Sequence, residues 1–251
     1  MRYIYLANGR VSTEILRWLI EHGQNPAGIV VHPHGKDKYR DELIAMSRLS
    51  PADVLEGPKL ATQEGIDWVS ARKPEWLVSI SFGYILKPVV LAVPTKGAIN
   101  LHPALLPYNR GAYPNVWSIV DRTPAGVTLH FIDPGVDTGD IIAQCAVPVE
   151  ATDTGATLYA RLEEASVTLF QETWPVLLAG SFQRKSQQPD GTFHRVSDVE
   201  QIDRIDPNQH VRAGDLLDII RARTFPPYKG AYLDLPGRRV YLRLELTEEN
   251  K

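Results

Sequence analysis

Between Tyr3 and His102, short apolar runs alternate with segments of helical periodicity, an alternation that restricts the chain to a layered α/β fold. Tyr3 to Ala7 reads as a strand. After Asn8-Gly9-Arg10, the apolar residues Val11, Ile15, Leu16, Leu19 and Ile20 fall on one helical face. Ser12 is placed to cap that helix, and the breakers Gly23 and Pro26 precede a second strand, Ala27 to Val31. Together these make a βαβ unit. Between Lys36 and Pro74 the pattern is again helical, with Leu43, Ile44 and Met46 in one segment and Ile66, Trp68 and Val69 in another. Trp76 to Ser81 reads as a buried strand, Leu86 to Ala92 as a helix containing Pro88, and Ala98 to His102 as a further strand. The expected fold is α/β: a Rossmann-like, mostly parallel sheet with helices on both faces and its active site beyond the carboxyl ends of the strands.

Gly126 to Ile132 and Ile141 to Val149 look like two strands joined by the loop Asp133 to Asp140. Thr154 to Trp174 is amphipathic, with Leu158, Leu162, Ala165 and Leu169 in its stripe, and Pro175 is expected to end or kink it. The composition turns polar from Gln183 to Gly191, and apolar periodicity resumes near Val211. We therefore expect a catalytic domain over 1–180, a linker over 181–210 and a small C-terminal α+β module over 211–251. The module would hold a helix through Leu216 and Ile220, closed by Phe225-Pro226-Pro227, and a hairpin about Pro236-Gly237.

Composition excludes several functions. The apolar stretches Trp76 to Ile85 and Trp174 to Ala179 fall well short of the roughly 20 residues of a membrane span. Met1 to Gly9 lacks the features of a signal peptide, so the cytoplasm is the expected compartment. Cys145 is the single cysteine, which leaves no internal disulfide or cysteine metal cluster, and it is expected to pack within its strand. A net charge of −3 offers no general attraction to nucleic acid. The 7 histidines are scattered, predicting no metal site. The first loop carries one glycine and no Gly-x-Gly-x-x-Gly series, against a bound dinucleotide.

Asn100 and His102 stand two apart at the end of a strand and so project to the same face, and Pro103 stops the ladder directly afterwards. An amide can donate to a developing oxyanion and an imidazole can exchange protons near neutral pH, so the pair suits addition to a carbonyl. Taken by themselves they read more readily as a turn cap and a hydrogen-bonded histidine. The loop Asp133-Pro-Gly-Val-Asp137-Thr-Gly-Asp140 carries three carboxylates. It reads as a polar hairpin loop, as a carrier of one carboxylate into a cleft, or, less well, as a calcium loop lacking the final glutamate. His130, on the strand leading into it, is of a kind more often packed than catalytic.

At these positions the chain resembles the folate-dependent formyltransferases, which include glycinamide ribonucleotide, methionyl-tRNA and amino-sugar enzymes. The resemblance is carried by Asn100-Leu-His102-Pro-Ala-Leu-Leu-Pro107, then Arg110-Gly111, then Val136-Asp137-Thr138-Gly139-Asp140-Ile141, and spans roughly residues 1–180. It implies that 10-formyltetrahydrofolate is the donor. Asn100 and protonated His102 would stabilise the oxygen as an amine attacks the formyl carbon, and Asp137 would hold His102 charged and help remove the amine proton. It further implies that the pterin lies against Phe82, Gly83, Tyr84, Ile85 and Leu86 and the Asp133 to Asp140 loop, with Ala104, Leu105, Leu106 and Pro107 beside the folate. Many relatives have serine where this chain has Ala104, so a hydroxyl contact there is absent.

The segment Leu106 to Trp117 and the ending Ile220 to Tyr232 look most like the amino-sugar members, which act on nucleotide-linked amino sugars. Asn109, Arg110, Tyr113 and Asn115 would then contact sugar or phosphate, while packing or surface roles remain the other reading of Arg110 and Tyr113. A methionyl-tRNA enzyme carries a longer, basic C-terminal domain. Here residues 205–251 hold 8 Lys and Arg against 7 Asp and Glu, too even a balance for RNA. A formyl-folate hydrolase and a non-catalytic folate or nucleotide sensor are the remaining alternatives. The apolar residues Leu216 to Ile220 suggest a homodimer.

Overall fold

The computed structural model describes residues 1–249. In chain order its elements are β1 (Tyr3–Ala7), α1 (Gly9–Glu21), β2 (Gly28–Val31), α2 (Arg40–Ser47), β3 (Val54–Glu56), α3 (Gln63–Ala71), β4 (Trp76–Ile80), α4 (Pro88–Leu91) and β5 (Gly97–His102). There follow β6 (Arg110–Gly111), α5 (Pro114–Val120), β7 (Gly126–Phe131), β8 (Ile141–Ala146), α6 (Gly155–Ala179), β9 (Phe193–His194), α7 (Asp198–Asp203), α8 (Ala213–Ala222), β10 (Tyr232–Leu235) and β11 (Arg238–Tyr241). Seven strands form one sheet in the order β3-β2-β1-β4-β5-β7-β8. From β3 to β5 all pairs are parallel, and β7 runs antiparallel to β5. The expected α/β class with a mostly parallel sheet holds. No helix among the described residues is long and apolar enough to cross a membrane.

The residues form two compact units that interleave along the chain. The first comprises Met1–His102, Thr128–Gln144 and Ser166–Gln187. Every residue of β1 and β4 is buried, as strands covered on both faces must be. On one face Ile4 and Leu6 join Val30, Leu77, Ala98 and Val90 in a single apolar cluster. On the other, Tyr3 packs edge-on against Trp174, with ring centroids 5.3 Å apart. The Tyr3 and Tyr5 hydroxyls donate to the carbonyls of Gln24 and Ser12, and burial raises the pKa of both phenols.

The second unit comprises Pro103–Val127, Cys145–Ala165 and the described residues from Gln188 onward. Within it α8 packs on α5, β6 pairs with β9 and β10 pairs with β11.

Several local expectations are revised. Asn8, not Ser12, occupies the N-cap of α1, and the Ser12 hydroxyl, one turn in, donates back to the Gly9 carbonyl. Pro88 opens α4 at its first turn, where a missing N–H costs nothing, so that helix begins later than Leu86. α6 continues through Pro175 to Ala179. The stretch 181–210 supplies β9 and α7. Cys145 is exposed rather than packed. β3, α5 and α7 form where the sequence predicts no element, α5 with Val116, Trp117 and Ile119 buried.

Candidate active site

β5 is the strand at which the sheet changes direction. Its Asn100 lies in register with Ser79 of parallel β4 on one side and with His130 of antiparallel β7 on the other. Residues in register across neighbouring strands present their side chains to the same face, so a polar row, Ser79–Asn100–His130, crosses an apolar sheet. Ser79 and His130 are buried and Asn100 is half-buried. The Ser79 hydroxyl donates to Asn100 Oδ1 at 2.9 Å, and Asn100 Nδ2 lies 3.3 Å from His130 Nε2. His130 Nδ1 donates to the Phe131 carbonyl at 2.8 Å. His102, two residues beyond Asn100 on the same face, is also buried.

The loop after β7 brings Asp137 to this row. Its Oδ2 stands 3.6 Å from His102 Nε2 and its Oδ1 3.6 Å from His130 Nε2, so one carboxylate faces two imidazoles. Both separations exceed hydrogen-bond length, and either contact is an ion pair only when its imidazole is protonated. Asp137 takes a left-handed backbone conformation, φ 54°. The loop is held from both ends. Asp133 Oδ1 accepts from the Gly135 N–H and the Thr138 hydroxyl, and Asp140 receives Arg184 and the Ser186 hydroxyl. Gln187 donates both hydrogens of its amide, at 2.8 Å each, to the carbonyls of Asp137 and Gly139.

A cavity of about 320 Å³ abuts this loop, with Leu91, Ala98 and Ile132 on its apolar side and Asp133, Asp140 and Lys96 among its polar groups. Ala98 shares its face of β5 with Asn100 and His102. The volume lies at the small end of the range for ligand sites.

The structure thus brings Asn100, His102 and Asp137 together in one unit, and sets Asp133 and Asp140 at an adjoining cavity. Residues 82–86 do not line that cavity. Phe82 and Tyr84 instead cluster with His32, at centroid distances of 5.4 and 4.7 Å, and the Gly83 N–H meets His32 Nε2. Burial there lowers the His32 pKa by more than the Lys36 carbonyl and the Asp37 charge raise it. Leu86 joins the core, whereas Ile85 is 82% exposed.

Ala104 to Pro107 and the four acceptor candidates belong to the second unit. Ala104 and Leu106 are buried there. Asn109 is fully buried, its amide donating to the Ser118 and Thr123 hydroxyls and accepting from Thr192. Buried Asn115 donates to the Gly155 carbonyl. Both amides bond within their own unit, and Arg110 and Tyr113 retain exposed surface.

Sequence reasoning gave too little weight to His130 and passed over Gln187 and Ser79. Only His130 carried a signal, a histidine one residue before the end of the strand that leads into the acidic loop.

Comparison with known proteins bears on this geometry. The sequence model of the family described as formyl transferase matches residues 1–173, and that of an N-formyltransferase dimerization C-terminal domain matches residues 198–248. A dTDP-4-amino-4,6-dideoxyglucose formyltransferase of Mycobacterium bovis is 38% identical over 152 residues, 60% of this chain and 65% of that protein. A methionyl-tRNA formyltransferase of Geobacter sulfurreducens is 29% identical over 249 residues, 96% of this chain and 77% of that protein. The crystal structure of a formyltransferase from Anoxybacillus kamchatkensis, in complex with UDP-4,6-dideoxy-4-formamido-L-AltNAc and tetrahydrofolate, aligns with a TM-score of 0.57 and 28% identity, over 80% of this chain and 89% of that one.

Proposed function

This chain belongs to the formyl transferase family, and from that premise we propose that it moves the formyl group of 10-formyltetrahydrofolate onto the amine of a nucleotide-linked amino sugar. The observation that carries the chemistry is the grouping of Asn100, His102 and Asp137 on one face at the end of β5. The cavity against the Asp133 to Asp140 loop, apolar on one side and edged by charged groups, suits a flat ring with polar edges and so supports a folate donor. Held there, the donor supplies a formyl carbon already activated by its nitrogen.

Asn100 turns an amide N–H to the formyl oxygen, which gains negative charge as the amine adds to the carbon. His102, protonated and faced by the Asp137 carboxylate, gives that oxygen a second donor. Asp137 receives the proton the amine must lose, directly or through a water, and the donor nitrogen regains a proton as its bond to the formyl carbon breaks. Burial of His102 and the half-buried position of Asp137 keep bulk water from competing for these bonds.

An amino-sugar acceptor is supported by the identity to the mycobacterial sugar enzyme and by the C-terminal match. In the second unit, Arg110 and Tyr113 are proposed to contact the acceptor. That match and the exposed Leu217, Val240 and Tyr241 support a homodimer built on the C-terminal region. The similarity of 96% of this chain to a methionyl-tRNA enzyme favours methionyl-tRNA as the second reading.

The test is formyl transfer from 10-formyltetrahydrofolate to a panel of dTDP-, UDP- and GDP-linked amino sugars and to methionyl-tRNA, read as a gain of one formyl group by mass. Transfer to a sugar is expected. Transfer to methionyl-tRNA alone would overturn the sugar reading, and deformylation without any acceptor would make the protein a hydrolase.

A further inference from the structure

Asn100 can serve as an oxyanion donor only if its amide nitrogen, not its amide oxygen, faces the reacting centre. Nothing in a carboxamide enforces that choice. The torsion about its last bond is broad and twofold, and the two ends have nearly the same size. Orientation must come from its neighbours. A serine hydroxyl by itself cannot impose one, because it donates or accepts equally well. A histidine can, once its tautomer is fixed.

The row across β4, β5 and β7 meets this requirement in sequence. The Phe131 carbonyl can only accept, so the proton on His130 is drawn to Nδ1, 2.8 Å away. That leaves Nε2 of a neutral His130 as an acceptor, which must face the Asn100 amide nitrogen at 3.3 Å. Asn100 Oδ1 then points the other way, to Ser79, whose hydroxyl is obliged to donate at 2.9 Å. One backbone carbonyl therefore sets the direction of three successive hydrogen bonds. One Asn100 Nδ2 hydrogen is used within the row, and the second is left to face outward. Asp137 Oδ1, at 3.6 Å from the same imidazole nitrogen, lies beyond hydrogen-bond length.

We propose that Ser79 and His130 are positioning residues that hold the Asn100 carboxamide in the one orientation that presents an N–H to the substrate oxygen. Neither is required to touch the substrate. The arrangement depends on the change of strand direction at β5, which sets a residue in register with Asn100 on both sides. The inference rests on the proposed role of Asn100 and adds two residues to it.

The test is a double-mutant cycle on the purified full-length protein, using Ser79→Ala, Asn100→Ala and both together, with 10-formyltetrahydrofolate and the acceptor identified by the panel. Ser79→Ala is expected to lower kcat about three- to tenfold, the worth of one hydrogen bond, with KM unchanged. In the Asn100→Ala background the same change is expected to have less than about a twofold effect, because its only route to the reaction is gone. A melting temperature close to that of the original protein controls for folding, since serine to alanine removes one atom from a buried position.

A second readout needs no acceptor. In protein labelled with [15N]asparagine, the side-chain Nδ2 signals that vanish in Asn100→Ala are expected to exchange with solvent about three- to tenfold faster in Ser79→Ala and in His130→Leu. Equal kcat losses from Ser79→Ala in both backgrounds, or unchanged exchange of those signals, overturn the positioning role while leaving Asn100 in place. Full turnover in Asn100→Ala overturns the catalytic assignment itself, and the positioning proposal with it.

Discussion

Replacing Gln187 with alanine removes the two amide hydrogens that tie the carbonyls of Asp137 and Gly139, each at 2.8 Å, and so tests whether the acidic loop must be held in order to work. A neutral hydrogen bond contributes about 0.5–1.5 kcal/mol net, so losing two costs about 1–3 kcal/mol. Gln187 is only half-buried, and water can replace part of what is lost. We therefore expect the lower half of that range, about 1.4 kcal/mol, which is tenfold in the population of loops that keep Asp137 facing His102. The cost should appear in kcat rather than as global unfolding, because both of these bonds go to the loop. Gln187→Glu should be more damaging, since it sets a carboxylate against two carbonyl oxygens. The assay is steady-state formyl transfer alongside thermal melting. If Gln187→Ala keeps kcat within about twofold of the parent while Asp137→Ala is severely slowed, the loop is held by its other contacts and this reasoning is wrong.

Alanine at Asn100, His102 or Asp137 should each cut turnover by at least about a hundredfold with the melting temperature little changed; near-normal turnover in His102→Ala would refute the mechanism. Gly139→Ala drives a methyl carbon into the Phe131 carbonyl oxygen, so the loop must shift and carry Asp137 with it. A displacement of about 1 Å at the site is expected to cost about a hundredfold in kcat, and normal activity in the Gly139→Ala variant would show the loop to be freely adjustable. Burial raises the pKa of Tyr3 and Tyr5 above the ordinary value of 10.0. The unfolded chain therefore ionises first, and stability that is complete below pH 10.0 should fall as the pH climbs beyond it. Melting curves between neutral pH and pH about 11 should show the fall, and Tyr5→Phe should flatten it; an equally steep fall in that variant would refute the assignment.

The parts of the site that lie close together in sequence were legible there. Asn100 and His102 could be paired because a strand's period of two puts them on one face, and Pro103 marks where the strand ends. The loop from Asp133 to Asp140 declared itself by its carboxylates and glycines. What could not be read was the company these residues keep. His130 looks like any histidine in an apolar strand until β7 is set antiparallel to β5 in the register that places it opposite Asn100. Ser79 looks like a break in an apolar run. Gln187 lies in a polar stretch that reads as a linker, and its bonds reach back nearly fifty residues to the loop. Asn109 and Asn115 show the same limit, since nothing in their motif-rich segment announces the hydrogen bonds they make to Ser118 and to the Gly155 carbonyl.

Local patterning determined which segments became strands and helices, because alternation and helical periodicity are written in consecutive residues and are enforced by burying one face or both. It also marked Asn100, His102 and Asp137, through strand-end and loop chemistry and the family resemblance they carry. Only the tertiary structure decided that Ser79, Asn100 and His130 form one row and that one carboxylate faces two imidazoles. Strand register is settled by the packing of segments twenty to thirty residues apart, and a slip of one residue would turn each of these side chains to the opposite face of the sheet.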